Sequence, residues 1–226
     1  MIGRVVLAAL LAGIAAGFLM SAIQQVRITP LILQAEKYEH AGGHEHGAAA
    51  TEASRDEAWA PQDGLERTLY TTLASIVAGA GFAALLAGIS VLLGIPVTAG
   101  NGILWGLSGF LAVNLAPAAG LPPELPGMPA ADLLTRQIWW VATIGATAVA
   151  IGLFALRDEA WAKIAAVILI ALPHLIGAPE LVSQESGVPP ALSAAFVANS
   201  LAAAAIFWCA IGGFLGLAMD RFAKDA

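Results

Sequence analysis

The chain has 226 residues, of which 59% are hydrophobic and only 12% charged, with a formal net charge of −6 at pH 7 and a mean hydropathy of +0.81. A soluble domain carries about 25% charged residues, so too few polar groups are present to cover a globule in water, and the composition is that of a polytopic membrane protein. One cysteine, Cys209, excludes a disulfide framework and a cysteine-based metal site, and reads as a small buried residue.

Arg4 followed by an apolar run imitates a signal peptide, but the run continues to Ile23 without a convincing cleavage site and is long enough to be a first span. Six spans are expected in all: Val5–Ile23, Leu69–Leu93, Gly102–Leu115, Ile138–Leu156, Ala162–Leu175 and Leu192–Met219. Lipid offers no partner for free backbone groups and no barrel-like alternation is present, so helices are the assignment. The expected fold is therefore all-α, a six-helix transmembrane bundle with outer loops, forming a single membrane domain over residues 1–226. The third span is short and needs Val97–Ala116 to cross fully; the fifth is short because Pro173 removes an amide and strains the turn before it. Glycines recur at four-residue spacing, as Gly13 and Gly17, Gly102 and Gly106, Gly212 and Gly216, which predicts close helix–helix packing.

Placing the N-terminus inside puts Arg4, Arg157, Lys163, Arg221 and Lys224 on the cytoplasmic side, and Arg27, Lys37, Arg55, Arg67 and Arg136 outside. The counts tie, but the first set is packed into short turns and ends, so both termini are assigned to the cytoplasm. The outer side then carries the elaborated connections: residues 24–68, Pro117–Arg136 and Ile176–Pro190. Function on a rigid helical scaffold usually resides in such loops.

The first of these loops holds three of the four histidines, His40, His44 and His46, interleaved with Glu36, Glu39 and Glu45. Imidazole suits cobalt, nickel, zinc and copper, and carboxylates add charge. Gly42-Gly43 interrupts any helix that would align His40 with His44, so the stretch reads either as a metal-capturing antenna or as a solvated tract that binds metals loosely. The tract that follows, GAAATEASRDEAW, reads as disordered.

The second loop continues into LPPELPGMPAADLLTRQIWW, where four prolines hold the chain stiff around Glu124. Asp132 and Arg136 stand four apart and are expected to pair along one helix face, and Trp139-Trp140 suits the membrane interface. Glu124 and Gln137 either line a substrate path or belong to a rigid cap. In the fifth span, LPHLIGAPE places His174 between Pro173 and Pro179, with Glu180 behind it. An ionisable residue there is a functional candidate, and a hydrogen-bonded structural histidine is the alternative. Gln24, Gln25, Asn101, Asn114 and Asn199 read individually as interhelical hydrogen bonds rather than ligands. The chain has no G-x-x-x-x-G-K-[ST] phosphate loop, no H-E-x-x-H zinc helix, no G-x-S-x-G elbow and no basic stripe for nucleic acid. An enzyme is not indicated.

The pieces PLILQAEKYE (Pro30–Glu39), WAPQDGLERTLYT, LPPELPG with AADLLTRQIWW, ALPHLIGAP and FVANSLAAAAIFW occur in this order over nearly the whole chain, and together they resemble the CbtA family of bacterial cobalt transporter subunits. The resemblance implies cobalt uptake linked to cobalamin synthesis, a bacterial inner-membrane location and a small single-span, histidine-containing CbtB partner. It supplies no ligand residues, and the insert Ala41–Ala58 is where members are expected to differ. The candidate metal-handling residues are therefore His40, His44, His46, Glu36, His174, Glu180 and Glu124, with Co²⁺ as the transported ion and no tightly bound cofactor. The bilayer, the metal ion and the CbtB-type chain are the expected partners, with room for a homo-oligomer. A non-transporting scaffold or metal sensor is the second reading, favoured by the lack of acidic residues inside the spans.

Overall fold

The structure is a computed structural model that describes residues 2–43, 61–180 and 186–224, with the backbone alone for residues 39–43 and 224. Among these residues it is all-helical, without strands: α1 (Ile2–Ile23), α2 (Thr29–Gly43), α3 (Leu65–Leu93), α4 (Gly102–Phe110), α5 (Ala116–Ala118), α6 (Leu133–Leu156), α7 (Ala160–Ile176) and α8 (Pro190–Lys224). Two π-helical turns, Gln24–Ile28 and Leu111–Leu115, join α1 to α2 and α4 to α5, so the described residues form six rods. Four of them are long and apolar enough to cross a membrane. The rods Gly102–Ala118 and Ala160–Ile176 are shorter.

The start of the first expected loop is in fact helix. The rod continues from Ile23 through the π-helical turn and is helical up to Gly43, the last described residue of this stretch, so the expected break at Gly42-Gly43 is not seen before it. Both π-helical turns have one local cause. Pro30 and Pro117 each follow at the second residue beyond the turn, and each lacks an amide for the carbonyl four residues back. Widening the preceding turn to an i→i+5 pattern, with the Thr29 amide donating to Gln24 O and the Ala116 amide to Leu111 O, accommodates the ring without breaking the rod.

Backbone contact at glycines builds the core. α1 lies on α3 and α8, and α4 lies on α8. A Cβ on Gly13 would overlap the backbone of Gly79 and Ala80, and one on Gly17 would overlap that of Ser75 and Ile76. Gly102 and Gly106 meet the carbonyls of Gly212 and Trp208, and Gly216 meets that of Thr98, so the four-residue spacing predicted the seams. The third rod starts at Gly102, as the expected span did, and does not extend back to Val97, because the Asn101 side chain accepts from the Thr98 amide and donates to Pro96 O, fixing a turn there. Asp220 accepts from the Ala99 amide at 2.9 Å and ties that turn to α8.

At α8's other end, residues beyond this core form a second apolar cluster. Ile28 and Ala35 of the first rod pack with Leu125, Val188, Leu192 and Phe196. At 1.5 Å per residue α8 is about 52 Å long, well over a hydrocarbon thickness of about 30 Å. This α2 end is thus built out as a cap. α6 and α7 form a separate hairpin. α7 packs chiefly on α6, and α6 meets the core mainly at α5 and the second π-helical turn.

The seam predicts a sharp contrast between two glycines. Gly102→Ala forces backbone atoms apart and lowers stability in detergent by about 1–3 kcal/mol, whereas Gly88→Ala, with nothing within 4 Å of the added carbon, is neutral or stabilising by up to about 1 kcal/mol. Thermal unfolding of the two variants checks this; equal effects would contradict the seam.

Candidate functional site

Where the hairpin joins the core, at the α2 end, a crevice of about 340 Å³ opens between the second π-helical turn, the Pro-rich loop, α6 and α8. Its polar lining is Asn114, Glu124, Arg136, Gln137 and Trp140, with Pro122 and Pro123 at its side. Glu124 and Arg136 are 2.7 Å apart and both largely shielded. Arg136 therefore pairs across the loop with Glu124, not along its helix with Asp132 as the spacing suggested. Asp132 is instead the N-cap of α6, its carboxylate accepting the Thr135 amide at 3.0 Å. One carboxylate oxygen of Glu124 accepts from the guanidinium; the other carries no protein bond among those described.

Asn114 is placed by α8. The indole of Trp208, 1% exposed, fills the space left by Gly109 and donates from Nε1 to Asn114 Oδ1 at 2.7 Å. Indole is a donor only, so this bond fixes the carboxamide's orientation. The expectation of an interhelical hydrogen bond holds for Asn114, and for Gln24, which accepts from Ser75 at 2.9 Å. Asn199 bonds within its own helix, to Ala195 O, and Asn101 within its turn. Trp139 packs against Gly120 and donates to Pro173 O at 3.2 Å.

The other candidates lie elsewhere. Glu36 accepts from Arg67 at 2.9 Å, and Arg67 also binds Asp63, so these charges clamp α2 to the start of α3. The ring of His174 stands edge-on to Trp139, 5.7 Å between centroids. Glu180 lines a second, apolar groove of about 730 Å³ between α6 and α7, whose lining does not include His174. The side chain of His40 lies outside the described structure, and His44 and His46 lie outside the described residues. Among the described residues no three His, Cys, Asp or Glu side chains gather as a metal site. Sequence reasoning missed the partner of Arg136 and the role of Trp208. Gly109, which faces that indole, was the available signal.

Residues 2–220 match the family described as probable cobalt transporter subunit (CbtA). The chain belongs to that family. No curated protein and no solved structure matches it.

The ion pair across the crevice is open to a double-mutant test. Glu124→Gln and Arg136→Gln each destabilise the protein, and together they cost less than the sum, by a coupling of about 1–2 kcal/mol. Strict additivity in thermal unfolding would show that the two groups do not interact.

Proposed function

We propose that the protein is the membrane subunit of a bacterial divalent-metal uptake system, that its substrate is Co²⁺, and that the ion meets the bundle at the Glu124 crevice. All six rods cross the inner membrane, with both termini in the cytoplasm and the α2 cap outside. The supporting observation is the crevice itself. It places a shielded carboxylate, two carboxamides and a fixed arginine at the joint between two helical bodies. The Glu124 carboxylate and the Gln137 carboxamide oxygen are ligand atoms suited to a partly hydrated divalent ion, while the Asn114 oxygen is held by Trp208. Arg136 occupies Glu124 as a tethered single charge. An ion of charge two at similar distance interacts about twice as strongly, so Co²⁺ displaces the guanidinium where a monovalent ion does not. Selectivity over nickel or copper has to come from site geometry, because cobalt binds more weakly at most N/O sites.

The histidines at 40, 44 and 46 raise the local metal concentration as an antenna, and Glu36 serves the cap. His174 and Glu180 are not part of the crevice. A small CbtB-type subunit completes the transporter, and the uptake serves cobalamin synthesis.

Cobalt uptake by cells expressing the chain with its partner tests this reading. Glu124→Gln lowers uptake about tenfold or more, and Arg136→Gln retains uptake at a lower half-saturating concentration. Deleting Ala41–Gly47 weakens uptake at low metal only. Unchanged uptake by Glu124→Gln would remove the crevice from the path, and a purified pair that moves no metal into liposomes would favour the scaffold reading.

A further inference from the structure

The crevice is electrically neutral before any ion enters. Glu124 and Arg136 are the charged residues of its lining among those described, and they cancel. Asp132 is engaged as the N-cap of α6, and Glu180 lines the separate α6–α7 groove. A divalent ion bound at Glu124 therefore leaves the displaced Arg136 guanidinium without an acid partner. The shielded site then carries uncompensated positive charge, which is costly away from water.

The hydrogen bonds point the same way. Trp208 Nε1 holds Asn114 Oδ1 at 2.7 Å, so the part of Asn114 left to the crevice is its NH2 group, a donor with no acceptor among the described residues. Arg136 makes one hydrogen bond, to Glu124, and its remaining N–H groups are unused among the described residues. Donors beside a cation site serve an anion that accompanies the cation. Val113, Leu121, Pro122 and Leu133 line the same space, and such walls suit an organic anion better than a strongly hydrated inorganic one.

We propose that the crevice takes the metal together with a small organic carboxylate. One carboxylate oxygen sits on the metal beside Glu124, and the other accepts from Asn114 Nδ2 and from the guanidinium that the metal displaces. The planar guanidinium edge matches a carboxylate. Asn114 is thus a specificity-determining donor and not a metal ligand, and Trp208 sets its direction. This rests on the reading of the crevice as the place where the metal meets the bundle, and adds the form in which the metal arrives there.

The test is cobalt binding to the full chain with its partner in lipid nanodiscs, read by equilibrium dialysis of radioactive Co²⁺. Sodium acetate, sodium sulfate and sodium chloride are compared at equal ionic strength and equal free Co²⁺. Acetate is expected to lower the half-saturating Co²⁺ about fivefold or more relative to chloride, and sulfate is not. Asn114→Asp keeps an oxygen for the Trp208 indole but turns the facing donor into an acceptor, so the acetate gain disappears; Arg136→Gln removes it as well. Wild-type binding that is Glu124-dependent but equal in acetate and chloride would overturn this inference alone, as would an equal gain in sulfate or an acetate gain that survives in Asn114→Asp. Cobalt binding unaffected by Glu124→Gln would overturn the crevice reading and this inference together.

Discussion

Contact between helix backbones at glycines is the constraint on which the rest of the protein depends. Lipid gives apolar side chains no reason to leave it, so helices associate only where backbone and side-chain surfaces fit closely. Gly13 and Gly17 against α3, and Gly102, Gly106 and Gly212 between α4 and α8, provide that fit. These seams set the position of α8 in the middle of the core. They also leave the pocket at Gly109 that receives the Trp208 indole. From that pocket a single hydrogen bond reaches the crevice at Asn114. Packing and site are therefore one construction.

The two proline-linked π-helical turns explain where this construction departs from a plain bundle. At Pro30 the widened turn lets the first rod continue out of the core and supply α2 to the cap. At Pro117 it ends the third rod beside α6, at the joint with the hairpin. The hairpin is fastened mainly there, so the polar groups of the crevice sit where, among the described residues, the two helical bodies chiefly meet. Arg67 at the cap and Arg136 in the crevice perform parallel tasks, each drawing a carboxylate from one segment to the start of a helix in another.

Much of this was legible in the sequence. Composition identified the membrane, apolar runs gave the rods in order, and glycine spacing gave the seams. The prolines were legible too, but Pro30 beside polar residues reads as a loop when its neighbours are considered alone. Ile28 and Ala35 pack that segment against α8 and the Leu125 loop, and the Glu36–Arg67 pair ties it to α3, contacts that no local pattern specifies. Asp132 and Arg136 show a similar limit. Their spacing permits an ion pair, yet a helix N-terminus needs a cap more than it needs a pair, and Glu124 arrives from a loop whose path no local pattern specifies. The seven candidate residues were chosen by chemical type, and type does not give distance; the fold leaves Glu36, Glu124, His174 and Glu180 in separate surroundings.

The central claim is that the Glu124 crevice is where the metal meets the bundle. Anomalous scattering at the cobalt edge, from crystals of the chain with its partner grown in Co²⁺, tests it most directly. The expected result is a cobalt peak within coordination distance of the Glu124 carboxylate, with the Arg136 guanidinium moved away from it. A single strong peak elsewhere in the bundle, with the Glu124–Arg136 pair intact, would contradict it.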